Sequence, residues 1–301
     1  KVLMELIDQK KPTFIYSLHN AGFGGCYWYL TDGDEALYKA LYRQPALEKV
    51  PLHLGEPEAP YCEEFYPGMY RMLGVTAHYD YLEKFAPDKD PATMITSGTS
   101  SDEYANREGK LISRALVNEM PYFYDQRIDD TTPSDMIRRE AVLINCDQTE
   151  AFFAALTPLY ERAKPLIRTW NPFFISVEDR MASSSAGNMD AKRQWAMAPE
   201  FEEKATVAQK FENLYGQGFY RNLSVCLLWR ACTYELEHGT DMSDAARAEL
   251  EAVKADAGKL MEENLRYLEE NLHYQAIPIQ KLVRIQLASG LLYAKYVHDK
   301  N

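Results

Sequence analysis

The chain has 301 residues, a net charge of −12, 46% hydrophobic and 26% charged residues. That is the composition of a globular protein with core enough for one large domain or two ordinary ones. The negative balance argues against a nucleic-acid backbone or an anionic membrane as the main partner. No apolar run reaches the roughly 20 residues of a membrane span, and no charged-then-apolar leader opens the sequence. Five cysteines, none in a Cys-x-x-Cys pair, argue against a disulfide scaffold or a zinc knot and fit a reducing, cytoplasmic setting.

In chain order, Val2, Leu3, Leu6 and Ile7 share one helical face. Lys10-Lys11-Pro12 breaks that helix. Thr13 to Leu18 is a β-branched and aromatic run suited to a buried strand. A helix is expected over Glu35 to Tyr42, irregular chain from Pro45 to Pro67, and a helix after it. "TMITSGTSS" reads as strand into loop. Leu111 to Phe123 reads as a helix end and turn entering a second strand. Helix and strand interleaved in this way mean an α/β region, residues 1–130.

From about residue 131 the pattern turns helical. Thr132-Pro133 looks like an N-cap with proline at the first helical position. Ile137, Ala141, Ile144, Gln148, Phe152, Ala155 and Leu159 follow at helical spacing, with Pro158 expected to kink or end the helix. Arg168 to Ala198 reads as a loop. Further helices are expected over Pro199–Tyr215, Phe219–His238, Ser243–Leu272 and Ile279–Val297. Residues 131–301 are therefore expected to form a mainly α-helical bundle.

Ligands of α/β folds gather beyond the carboxyl ends of the strands. His19 and Asn20 end the first strand there, and Gly22, Gly24 and Gly25 allow a tight turn and close approach to a ligand. The alternative is a His that caps the strand and bonds to a loop. Glu119, in "LVNEMPYF", ends the second strand run with Pro121 fixing the chain just beyond. A carboxylate at that place is costly to bury unless it is paired or working, and next to an activated water it suits a general base. Its alternative is an edge glutamate facing water.

These segments carry a resemblance. "PTFIYSLHNAGFGG" resembles the stretch bearing the third zinc ligand of the M14, carboxypeptidase A-like, zinc carboxypeptidases. "SGTSSDEYANREGKLISRALVNEMPYF" is similar to that family's Ser-Gly-x-Ser loop, helix and catalytic-Glu strand. The resemblance covers roughly residues 1–124. It implies the second half of a mixed carboxypeptidase-like sheet with flanking helices, His19 as a Zn²⁺ ligand, Glu119 as general base and Asn20 touching the substrate backbone. It also implies a peptide substrate shortened from its C-terminus. In the family the other two ligands form a His-x-x-Glu motif well upstream, followed by an Asn-Arg pair that grips the terminal carboxylate. No Asn-Arg precedes His19 here and the chain is read as having no His-x-x-Glu of its own, so both are expected from a preceding segment or a second chain. The family's mobile tyrosine falls on Met94, with Tyr104, Tyr122 and Tyr124 as substitutes. The competing reading is a non-catalytic relative whose helical half is a docking or assembly module.

Other features weigh less. "GFGG" lacks the Gly-Lys-Ser/Thr ending of a phosphate loop. Cys26 is a third, thiol-based candidate. His53 and His78 read as surface or packing residues, and Arg71 and Arg107 as partners in solvated salt bridges. "EFEEK" (Glu200 to Lys204) reads as the charged first turn of a helix. His238, His273 and His298 read as helix-end caps, and the 21 tyrosines as core more than cleft.

Overall fold

The computed structural model describes residues 2–95, 98–183 and 186–300. The chain runs α1 (Val2–Lys10), β1 (Phe14–Phe23), β2 (Tyr27–Leu30), α2 (Glu35–Glu48), β3 (Glu64–Tyr66), β4 (Met69–Arg71), α3 (Val75–Phe85), α4 (Pro91–Met94), α5 (Ser101–Ala105) and β5 (Arg114–Tyr124). It continues through β6 (Pro133–Ile137), α6 (Arg138–Ala163), α7 (Pro172–Ser183), α8 (Ala186–Trp195), β7 (Lys204–Thr206), α9 (Val207–Phe211), α10 (Gln217–His238), α11 (Asp244–Asn271), β8 (Gln275–Ala276) and α12 (Ile279–Lys300). The architecture is mixed α/β: a six-stranded sheet in the order β1-β5-β2-β4-β3, with β8 added to β5, followed by a large helical region. β1 lies parallel to β5, and β2 antiparallel to it.

Side-chain alternation gives the sheet two different faces. One face presents Trp28, Leu30, Leu116 and Met120, all buried under α2 and α12 by Leu37, Leu41, Leu282, Ile285 and Tyr293. Ser289 of α12 fastens the two layers: its hydroxyl accepts from Trp28 Nε1 at 3.1 Å and from Asn118 Nδ2 at 3.2 Å. The other face presents Tyr27, Tyr29, Tyr70 and Val117. The helical half has its own core, where Phe152, Leu156, Val225, Leu228, Leu250 and Val253 interlock between α6, α7, α10 and α11. The last helix does not stay with that bundle. Its Leu282, Ile285, Tyr293 and Val297 close the sheet's core instead.

Several elements differ from the sequence reading, each for a physical reason. Thr132-Pro133 opens a strand, because proline is as much at home at the first residue of a strand as at a helix start. The helix begins only at Arg138. Pro45 and Pro158 sit inside α2 and α6 without ending them. Burial of Leu41, Leu156 and Tyr160 on the core faces holds each helix through its missing hydrogen bond. The expected loop from Arg168 to Ala198 contains α7 and α8, anchored by buried Phe174, Val177 and Ala191. The helix expected over Pro199–Tyr215 is a 3-10 turn, β7, α9 and a π-helical turn, Glu212–Gly216. In "TMITSGTSS" the start is α4, not a strand, and Thr96 and Ser97 lie outside the described residues. The apolar face of α1 buries only Ile7, leaving Val2, Leu3 and Leu6 exposed.

Candidate functional site

β1 and β5 run side by side in register, so that Ser17 faces Val117 and His19 faces Glu119. Residues 100 apart in sequence thus become neighbours on one face. The His19 Nδ1 lies 2.9 Å from Glu119 Oε1. Toward an ionised Glu119, Nδ1 carries the proton and donates, which leaves the Nε2 lone pair facing outward. The two side chains sit in different surroundings: His19 is 53% exposed and Glu119 only 11%. The ladder slips just after His19, between it and Gly22, a bulge that redirects the chain at the site. Gly22 makes that bend at φ +69, with the Phe219 ring packed against the position a Cβ would occupy.

Burial raises the Glu119 carboxyl above the ordinary glutamate range. The nearby Glu58 charge adds to the rise, and His19 opposes it. Glu58 itself is held by the Tyr29 hydroxyl at 2.8 Å and the Tyr27 hydroxyl at 3.3 Å. Glu119 and Asn20 open onto a cleft of about 550 Å³ between the carboxyl end of β1 and helix α10. Tyr27, Tyr70, Tyr122, Phe219 and Tyr220 form much of its wall, with Arg180, Glu58 and Glu212 as charged members. His19 is not part of that lining. It stands one residue before Asn20, on the exposed shoulder beside the cleft. The Tyr220 hydroxyl reaches the Ala21 and Phe23 carbonyls, the second at 2.8 Å, and so ties α10 to the bulge.

Of the three substitute tyrosines, Tyr122 lines the cleft. Tyr104 bonds Asp8 at the surface and Tyr124 bonds Gln275. Cys26 is fully buried with its thiol pushed well up by burial, 3.8 Å from Met120 Sδ, and is no nucleophile of this cleft. His78 stacks on Tyr61 at 4.8 Å. Arg71 and Arg107 hold Glu63 and Asp8 in exposed ion pairs.

Among the lining residues not expected in the site are His53, Glu56 and Glu212. The expectation that the chain has no His-x-x-Glu is wrong: one stands after His19 rather than before it, at His53-Leu54-Gly55-Glu56. Both ends of it line the cleft. Each is already engaged: Arg138 grips the Glu56 carboxylate through two bonds of 2.9 and 2.6 Å, and His53 Nε2 lies 3.2 Å from the Glu56 carbonyl. Its spacing was the signal in the sequence. Glu212, 2% exposed in the π-turn and bonded by Gln217 at 2.5 Å, had none, since at helical spacing it reads as an ordinary surface residue. π-turns recur at functional positions because the extra residue displaces side chains from the regular register.

The Zn²⁺ implied by the resemblance needs three protein donors and an open position. Among the described residues no group of three or more His, Cys, Asp and Glu is placed to hold a metal ion. The His19–Glu119 pair alone is not a zinc site. Comparisons with protein-family models, curated proteins and solved structures return no match. Among the described residues no helix is long and apolar enough to cross a membrane.

Proposed function

We propose that this chain carries the His–Glu part of a carboxypeptidase-like hydrolytic site that removes C-terminal residues from peptides. The observation behind the reading is the 2.9 Å contact of His19 and Glu119 at the edge of a tyrosine-walled cleft. In this reading Glu119 takes a proton from water, the water oxygen attacks the scissile carbonyl carbon, and the proton leaves on the new amine. A carboxyl raised by burial is the better proton acceptor near neutral pH. Asn20, on the cleft wall, contacts the substrate backbone. Zn²⁺ belongs to the reading only with donors from outside the described residues, a preceding segment or a second chain.

A second reading, a non-catalytic binding or assembly protein, draws on the lack of a third donor among the described residues. One assay separates the two. With zinc chloride present, peptides bearing a free C-terminal carboxylate are expected to lose their last residue while C-terminally amidated versions are not. Glu119→Gln is expected to lower the rate at least about 100-fold. Near-normal turnover in Glu119→Gln, or no release from any free-acid peptide, contradicts the hydrolytic reading.

A further inference from the structure

Among the described residues β1 pairs with β5 along one edge and with no strand along the other. Open edges are normally guarded by charge, proline or short length. β1 is ten residues long, FIYSLHNAGF, and contains no proline, lysine, arginine or carboxylate. On its helix-covered face Phe14 and Tyr16 pack beneath α12, but Leu18, next on that face, is 63% exposed.

α12 carries a matching feature. Ile279, Val283, Leu287 and Leu291 recur every four residues and are 54–63% exposed. At about 100° per residue they fall beside Gln286 and Gly290, two of the residues through which α12 touches β1. The Tyr16 hydroxyl donates to the Gln286 carbonyl at 2.6 Å, the Gln286 amide donates to the His19 carbonyl at 3.0 Å, and Gly290 lies against the Tyr16 ring. The apolar row therefore overhangs the open edge of β1. Two cations border the row and each is paired: Arg284 reaches Glu48 of α2 at 3.3 Å, and Lys295, one step beyond Leu291, reaches Asp299 at 2.5 Å.

We infer that this surface is the interface of a two-fold dimer, in which β1 pairs antiparallel with the β1 of a second copy about Leu18 and the two His19 rings, each held by its own Glu119, meet to bind one divalent cation. A second copy fits for three reasons. An uncharged strand meets itself without like-charge repulsion. A row of i, i+4 residues is a ridge of the kind that packs into the groove of an identical helix. The exposed apolar area makes up more than half of what such a dimer buries. Leu18 and the α12 row bury on the order of 100 Å² apiece, roughly 500 Å² per copy before the strand backbone and its flanks are counted, against about 800 Å² in a standard interface.

The position of the axis follows from pairing rules. Residues directly opposite share a face, so an axis at Leu18 brings the two exposed leucines together beneath the two α12 rows. His19 then lies opposite Ser17 of the second copy. The two imidazoles sit diagonally on the cleft face, about 7–8 Å apart at their backbone positions, within reach of a shared ion. Each ring offers its outward Nε2 while its Nδ1–H is held by Glu119, so the two imidazoles supply two donors and water fills the remaining positions of a tetrahedral zinc. The cation rests on reading His19 as a ligand; the dimer does not.

Light scattering on the full chain at about 100 µM, with and without zinc chloride, tests both parts. Expected are a dimer, its conversion to folded monomer by either Leu18→Asp or Leu287→Lys, and dissociation weakened at least about tenfold by zinc. His19→Ala is expected to dimerise as the parent does without zinc and to lose the zinc effect. A monomer under both conditions, or a dimer that survives both interface substitutions, overturns the interface. A dimer broken by those substitutions but indifferent to zinc keeps the interface and overturns the shared cation. Since none of these readouts uses turnover, an inactive protein that behaves as expected here counts against the hydrolytic reading alone.

Discussion

β1 and β5 lie next to each other, run the same way and contribute one side chain each to the same hydrogen bond, yet they are opposite kinds of strand. From Ala115 to Pro121 every residue of β5 is buried, between β1 and β2 in the sheet and beneath α12 on one face. Among the described residues β1 has a neighbouring strand on one side only, and Leu18, His19 and Asn20 are exposed. The pair of residues at the candidate site therefore joins a rigid wall to an open one. The buried member has its proton affinity set by burial; the exposed member is free to meet something from outside.

The sharpest way to break that contrast is to make the same change on both strands. Leu116 on β5 is fully buried, and Leu116→Ala is expected to lose about 2–5 kcal/mol of stability. Leu18→Ala on β1, read in the folded monomer, is expected to stay within about 0.5 kcal/mol of the parent. Urea unfolding midpoints measure both, and comparable losses would mean that β1 is covered after all. Ser289→Ala comes next. It strips the acceptor from two buried donors, Trp28 Nε1 and Asn118 Nδ2, and is expected to cost about 1–3 kcal/mol, while Ser289→Thr recovers part of the loss if the methyl fits.

A third variant probes the charge on the buried side. Because the folded-state Glu119 binds its proton more tightly than an unfolded glutamate, the folded protein holds more protons just above pH 4. Stability from this group is therefore lost as pH rises through its raised pKa. Glu119→Gln keeps an acceptor for His19 and removes that loss. Its melting temperature is expected to gain on the parent between about pH 4 and pH 7, and a constant or shrinking difference would contradict the burial argument. The smallest effect is expected from His19→Ala, a half-exposed residue. Stability should change by about 1 kcal/mol or less. Loss of the imidazole removes an influence that lowers the Glu119 pKa, so the acidic limb of any pH–rate profile should move to higher pH.

The sequence was informative where chemistry and periodicity agreed. Thr13–Leu18 and the run ending at Glu119 read as strands and fall on β1 and β5, but β1 runs on to Phe23 and β5 to Tyr124. His19 and Glu119, expected at strand ends, therefore sit inside their strands, because pairing of β1 with β5 carries both past the expected turn. The residues that place them together could not be read. Parallel register between segments 100 residues apart is set by tertiary packing, and Tyr27–Leu30, which seals the other side of Glu119, is too short to announce itself. Pro45 and Pro158 looked like helix ends because local rules weigh the lost hydrogen bond and not the buried Leu41, Leu156 or Tyr160. α12 has the helical spacing expected of it, but its return to the sheet depends on Tyr293 and Ser289 meeting partners more than 170 residues away. Glu212 carried no signal because the π-turn that moves it into the cleft wall is a property of the packed helices.

The central claim is that His19 and Glu119 form one hydrogen-bonded unit, the carboxylate fixing the tautomer of the ring. ¹⁵N chemical shifts of the His19 ring at about pH 8 test it most directly. The expected result is a neutral imidazole protonated at Nδ1, changing toward the mixed tautomers of a free histidine in Glu119→Ala. A ring protonated mainly at Nε2, or shifts that ignore the loss of Glu119, would contradict it.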